Sequence, residues 1–331
     1  MPFGRKPIGY SYADAENLLA QALTLEGVRA KEVAVEVDRT AFNATPKPVG
    51  RTGVGNLTQL YMGRKEDNRR EPDFPELGIE LKTLPMKALR RGNQREWTVK
   101  EPTSITMIDY REVDQEDWSV AYLRHKIDHI LWVPYEHDYG DKRESRFRRA
   151  FLWKPDAADY PVFGIDYDVV RGYIQRDDAE HLSETLSQVL AARRKGSKGQ
   201  MAEQPRGPPA KSRAWAFKAA YTRPILDKHV LGRIVPSLAT EVPRIRTLLD
   251  VEPFVTNRLA RYDGKPLREI GRATGGAVAG GKAGPAGFVR QLLGVKQRGP
   301  IEEFEKLGIR IHTVWARPSD LAPWEAVSFP A

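Results

Sequence analysis

The sequence predicts an α/β domain over residues 1–235, followed by a second, degenerate and incomplete copy of the same domain over residues 236–331. Two observations carry the fold class. Ile79-Glu-Leu-Lys-Thr-Leu84 alternates in period two, and Ile130-Leu-Trp-Val-Pro134 is a short, strongly apolar run, so both read as strands. Helix signals surround them, which fits a mixed sheet flanked by helices but leaves its topology open. The third observation is an internal repeat. Phe74-Pro-Glu-Leu-Gly-Ile-Glu-Leu-Lys-Thr-Leu84 returns as Phe304-Glu-Lys-Leu-Gly-Ile-Arg-Ile-His-Thr-Val314. Gly55-Asn-Leu-Thr-Gln-Leu60 returns upstream as Gly287-Phe-Val-Arg-Gln-Leu292, and Glu101-Pro-Thr-Ser-Ile105 has a looser counterpart in Glu325-Ala-Val-Ser-Phe329. The second copy stops well before the first does, which favours a fragment of a longer protein.

Each element has a local reason. Ser11-Tyr-Ala-Asp14 is an N-cap signal for a helix to about Leu23, with Leu18, Leu19 and Leu23 on its apolar face. Gly53 to Gly63 is a short helix bracketed by glycines, and 64–72 a charged loop. After the strand at Ile79, Arg90 to Gln94 forms a basic turn and Ser104 to Ile108 a strand. A helix around Trp118 to Lys126 leads into the apolar strand at Ile130. Arg148 to Trp153 is a further strand, Val169 to Arg176 a helix, and Leu186 to Ala192 another strand.

Composition narrows the function classes. The chain has 53 Lys+Arg against 44 Asp+Glu, a net charge of +9, which favours a polyanionic partner, nucleic acid before an anionic membrane. With 0 cysteines it has no disulfide, thiol nucleophile or cysteine–metal site. No apolar run approaches the ~18 residues of a membrane span, and the N-terminus lacks an apolar signal core. A cytoplasmic location without membrane attachment is expected.

The chemistry concentrates in Pro72 to Leu84. On a strand, residues i and i+2 share a face, so Glu80 and Lys82 project together while Ile79 and Leu81 turn to the core. Asp73 lies beyond a Phe-Pro/Leu-Gly turn that folds it back beside Glu80. Two carboxylates can hold Mg²⁺ and polarise a phosphate, and a lysine can orient or deprotonate a water. An Asp-x6-Glu-x-Lys pattern arises by chance in roughly one chain of this size in twenty, so the strand context is what gives it weight. Asp250, Asp263 and Lys265 form a similar triplet, but Gly264 and the lack of a strand pattern make that a turn.

Four stretches resemble the MutH family: Gly55–Gly63, Asp73–Leu84, Arg124–Pro134 and Arg213-Ala-Trp-Ala-Phe-Lys-Ala-Ala-Tyr-Thr222. That family comprises the mismatch-repair nicking endonuclease and related type II restriction endonucleases, with the restriction-endonuclease-like PD-(D/E)xK fold. The resemblance implies a Mg²⁺-dependent endonuclease acting on double-stranded DNA. Asp73 and Glu80 would be metal ligands, Lys82 the water-orienting lysine, and Lys126 a further active-site lysine near the scissile phosphate. Gln59 stands where the family often carries an additional catalytic glutamate; an amide cannot act as a base or add negative charge, which puts a second metal in doubt.

The repeat points to one branch of that family, GATC-cutting restriction enzymes with an active first copy and a second copy lacking catalytic residues. Here Glu303, Arg310 and His312 replace Asp73, Glu80 and Lys82, so the second copy should bind DNA without cutting it. The leading expectation is therefore a type II restriction endonuclease at GATC or a related short site, working as a monomer or DNA-induced dimer. A mismatch-repair nickase and a non-catalytic DNA-binding relative are the alternatives. DNA contact is expected from Arg193, Lys195, Lys198, Arg213 and Lys218 in the basic, partly mobile stretch 193–218, together with Arg51. Trp215 and Phe217 read as core, and Ala216 lies where a methylation-sensing tyrosine would be expected. His125 and His129 share a helical face but lack a third ligand for zinc. Gly276 to Lys282 nearly spells a phosphate loop, but Ala283 replaces its Ser or Thr, so no ATP requirement is expected.

Overall fold

The computed structural model describes residues 3–37, 53–65, 70–91, 94–197, 199–275, 284–295 and 299–314. The chain divides into two compact units, Met1–Ile234 and Val235–Ala331.

In the first unit, helix α1 (Ala15–Leu23) starts where the Asp14 carboxylate accepts the Asn17 N–H at 2.7 Å, the cap read from the sequence. Helices α2 (Ala30–Val37) and α3 (Gly53–Tyr61) follow. Strand β1 (Glu80–Arg91) pairs antiparallel with β2 (Gln94–Val99), so Arg90, Arg91 and Gln94, expected in a basic turn, lie in paired strands, and 92–93 lie outside the described residues. Strand β3 (Thr103–Met107) leads into α4 (Tyr110–Gln115), and α5 (Tyr122–Ile127) leads into β4 (Ile130–Glu136). On its other side β1 runs parallel to β4, with Glu80 opposite Ile130 and Lys82 opposite Trp132. Strand β4 also pairs antiparallel with β5 (Arg146–Phe147) and β6 (Phe151–Trp153), completing a mixed sheet. After α6 (Tyr160–Gln175) come β7 (Leu190–Arg194), the short pair β8 (Met201–Ala202) and β9 (Ala210–Lys211), and β10 (Arg213–Phe217). A second, antiparallel sheet has the order β3-β10-β7, and α7 (Ala219–His229) follows β10. This is a mixed α/β architecture of the expected class.

One hydrophobic core fixes the orientation of β1. Ile79 and Leu81 are buried with Leu57, Tyr61, Phe74, Leu131 and Val133 against the N-terminal helices. The alternate residues Glu80 and Lys82 therefore face the other side, as strand geometry requires.

Several element bounds differ from the sequence reading, three of them for clear local reasons. Helix α5 starts only at Tyr122, because Ala121 is extended (ψ 131°) and the preceding residues form a turn. Helix α6 starts at Tyr160, nine residues before the expected Val169, with Pro161 in its first turn, where a missing N–H costs nothing. Strand β7 starts at Leu190 rather than Leu186. The buried Asp166 carboxylate takes the N–H groups of Gln188, Val189 and Leu190 at 2.7, 2.7 and 2.8 Å, holding the chain before the ladder begins.

The second unit contains α8 (Leu238–Glu241), α9 (Val251–Ala260), α10 (Leu267–Thr274), α11 (Gly284–Leu292) and α12 (Glu302–Leu307). Its core gathers Leu238, Ile245, Val251, Leu293, Val295, Ile301 and Phe304. Part of the repeat has matching backbone. Gly78 and Gly308 both take left-handed φ, 64° and 70°. The Ile79 N–H reaches the Phe74 carbonyl at 3.2 Å, and the Ile309 N–H reaches the Phe304 carbonyl at 2.7 Å. The two segments then diverge. Phe304 to Leu307 is helical where Phe74 to Leu77 is a turn, in keeping with Glu302, Glu303 and Glu305 in the first turn of α12. Residues 309–314 form no strand, and Arg310 pairs with Glu305 at 3.0 Å. Glu303 is buried: its carboxylate accepts from the Ser237 hydroxyl at 2.6 Å and from the Leu238 and Ala239 N–H groups at 2.7 and 3.0 Å. The third block of the repeat, Glu325 to Phe329, and the glycine-rich run 276–283 lie outside the described residues.

Candidate active site

Asp73 sits on neither a helix nor a strand, yet it is closely held. Phe74 and Ile79 form an antiparallel bridge across Pro75-Glu-Leu-Gly78, which brings Asp73 back alongside the start of β1. The Asp73 N–H donates to Glu80 Oε2 at 3.1 Å, and the Leu81 N–H donates to Asp73 Oδ2 at 2.9 Å. The two carboxylates are thereby locked side by side, as the turn predicted.

Lysines complete the cluster. Lys82 Nζ donates to Glu80 Oε1 at 2.6 Å, and Lys126 Nζ, from α5, donates to Glu80 Oε2 at 3.1 Å and to the Glu71 carbonyl at 2.7 Å. Glu80 is 2% exposed and Lys126 6%, so this is a buried charge network. With Asp73 and Glu80 ionised and both lysines protonated, its formal charge is balanced. Burial and the neighbouring Glu80 carboxylate push the Asp73 pKa above the ordinary aspartate range, against the opposing pull of Lys82, the Leu81 N–H and Lys126. At Lys82, burial disfavours the ammonium, but the Glu80 and Asp73 charges outweigh it and raise the pKa. While both carboxylates face it, the Lys82 ammonium is favoured over the neutral amine.

Gln59 projects from α3 and its amide nitrogen donates to Asp73 Oδ1 at 3.2 Å. In this arrangement the amide orients Asp73. Among the described residues no three His, Asp or Glu side chains converge as a metal-ligand set. A metal at this site would therefore rest on Asp73 and Glu80, with its remaining positions filled by backbone, water and phosphate oxygens. That suits Mg²⁺, which commonly uses one or two carboxylates and keeps several waters.

The expected DNA-contact residues are scattered. Arg213 is buried in β10 of the second sheet and donates to the Ala192 and Glu180 carbonyls at 3.1 and 3.5 Å. Arg193 is partly buried and bridges the Pro102 carbonyl and Glu101 at 2.7 and 3.2 Å. Lys218 donates to the Ser187 carbonyl, and burial lowers its pKa. Lys195 is exposed at the end of β7. Arg51 and Lys198 lie outside the described residues. The stretch is also less free than its composition implied, since Arg206 is tied to Asp114 and Asp177 and Lys211 to Glu180. Trp215 and Phe217 are fully buried, as read from the sequence.

Residues 62–164 match the family model for the DNA mismatch repair enzyme MutH, a span that includes Asp73, Glu80, Lys82 and Lys126. Over these residues the chain is similar to the MutH family. Among its relatives, the type II restriction enzyme Sau3AI of Staphylococcus aureus is 30% identical over 187 residues, covering 55% of this chain and 38% of that enzyme. The DNA mismatch repair protein MutH of Salmonella typhi is 28% identical over 222 residues, covering 65% of this chain and 91% of that protein. The chain thus spans well under half of the restriction enzyme but nearly all of the mismatch-repair protein. The MutH family span leaves out Gln59 and the basic stretch after β7.

Proposed function

We propose that this chain is a MutH-type, Mg²⁺-dependent DNA endonuclease of the type II restriction class, with GATC or a related short sequence as its site. The observation that carries this reading is the Asp73–Glu80 pair held between Lys82 and Lys126. Asp73 and Glu80 would hold Mg²⁺, which supplies Lewis-acid polarisation of the scissile phosphate. Lys82 then orients the attacking water and offsets the charge that grows on the phosphate oxygens. The water gives up a proton to solvent as its oxygen bonds to phosphorus, the P–O bond to the leaving group breaks, and the leaving oxygen takes a proton from solvent. Lys126, freed from Glu80, neutralises the phosphate. Gln59 keeps Asp73 in register without adding charge, which favours one metal over two.

The second unit would be a degenerate copy that binds DNA without cutting it. The matching turn at Gly78 and Gly308 supports common descent. Glu303, at the Asp73 position, is used up capping α8, and Arg310 at the Glu80 position would repel a cation.

A mismatch-repair nickase is the second reading, favoured by the near-complete coverage of the MutH relative. Duplex plasmid with Mg²⁺ separates the two. Linear product without helper proteins or ATP supports the restriction reading, and single nicks dependent on helpers support the other. Intact plasmid that is still shifted on a gel would leave only a DNA-binding relative.

A further inference from the structure

We infer that Arg64 is the positioning residue that sets Asp73 for metal binding, an inference that rests on the proposed metal role of Asp73 and Glu80. Asp73 has no ladder of its own to hold its backbone. Its carbonyl is instead taken by Arg64 Nε at 2.6 Å. The same guanidinium donates through Nη1 to the Tyr10 carbonyl at 2.6 Å and through Nη2 to Glu76 Oε1 at 2.5 Å. It also lies 4.5 Å from the centroid of the Phe74 ring, whose residue follows Asp73 directly. One side chain, 15% exposed, thus fastens the Asp73 turn from three directions and stacks on its buried anchor.

Arg64 is itself delivered by a rigid path. Its N–H closes onto the Gln59 carbonyl at 2.8 Å, so the residue that orients the Asp73 carboxylate and the residue that holds the Asp73 backbone share one helix end. The chain leaves α3 through Gly63, at φ 79°, where an added Cβ would come within 2.6 Å of the Pro7 carbonyl. A planar fork of fixed N–H directions can serve the Asp73 and Tyr10 carbonyls at once, whereas a lysine ammonium cannot reproduce that geometry. Arg64 acts through Asp73.

The test is a titration of the whole chain with Mg²⁺, read as the metal-induced rise in melting temperature and, in parallel, as cleavage. Arg64→Ala should raise the half-saturating Mg²⁺ concentration roughly tenfold or more in both readouts, the scale of a lost outer-shell partner. Cleavage at saturating Mg²⁺ should fall much less. Arg64→Lys, which keeps the charge opposite Glu76, should fold yet retain the raised midpoint, and Glu76→Gln should give a smaller shift in the same direction. If Arg64→Ala does not fold, these two variants carry the test. An unchanged Mg²⁺ midpoint in Arg64→Lys, with only a lower melting temperature in chelator, would overturn the inference. A wild-type chain whose melting does not respond to Mg²⁺ would instead overturn the metal site, and the inference with it.

Discussion

Lys126→Ala perturbs the site where its energetics are most exposed to measurement. Glu80 is almost fully buried and its carboxylate has three donors: Lys82 at 2.6 Å, Lys126 at 3.1 Å and the Asp73 N–H at 3.1 Å. Breaking a buried ion pair from one side typically costs 3–5 kcal/mol, because the remaining charge is stranded. Here Lys82 and the Asp73 N–H remain, so a loss of about 2–3 kcal/mol is the better figure. For a unit of this size each kcal/mol is roughly 2–4 °C, giving a fall in melting temperature of about 4–12 °C in chelator. The loss should be largest without metal. Mg²⁺ bound to the freed carboxylates replaces the missing charge, so the Mg²⁺-induced rise should be larger in the variant than in wild type, about 2.7 kcal/mol when the ion is at a hundred times its Kd. Melting curves with chelator and with Mg²⁺, for both proteins, decide the matter. Equal melting of the two proteins in chelator would refute the claim that Lys126 balances Glu80.

Further outcomes follow from the same geometry. Because burial and Glu80 raise the Asp73 pKa, the folded metal-free protein binds a proton there more tightly than the unfolded chain does. Its stability should therefore fall as pH rises from the ordinary aspartate range through the raised value, and Asp73→Asn should flatten that slope in pH-dependent denaturation. Metal binding runs the other way: half-saturating Mg²⁺ should increase as pH drops through the same window, which a metal titration at several pH values would detect. Asp166→Ala leaves three backbone donors unpaired before β7, and urea unfolding should register a loss of about 3 kcal/mol, with Asp166→Asn intermediate.

Much of the site was legible in the sequence because its rules are local. Period-two alternation placed Glu80 and Lys82 on one face of β1, and Pro75 with Gly78 announced the turn that returns Asp73. Lys126 came only from family resemblance, since no spacing rule connects α5 to β1. Long-range contacts explain the rest. Arg213 reads as one more cation in a basic stretch, yet it lies in β10 between β3 and β7, where its guanidinium finds buried carbonyls. Arg206 and Lys211 look unpaired until Asp114, Asp177 and Glu180 come in from distant segments. Arg64 carried no signal beyond following a glycine. Helix α4 was missed although Asp109, two residues before Arg111, is a good cap for it. In the second unit, the carboxylate of Glu303, which the sequence reading aligns with Asp73, serves α8.

The central claim is that Asp73, Glu80 and Lys82 form a working phosphodiesterase site, and Lys82→Ala assayed beside wild type tests it most directly. On plasmid DNA with Mg²⁺, wild type should cut and chelator should stop it. Lys82→Ala should lose at least about 10²-fold in rate while shifting the same DNA on a gel. Cleavage by Lys82→Ala at the wild-type rate would contradict the account.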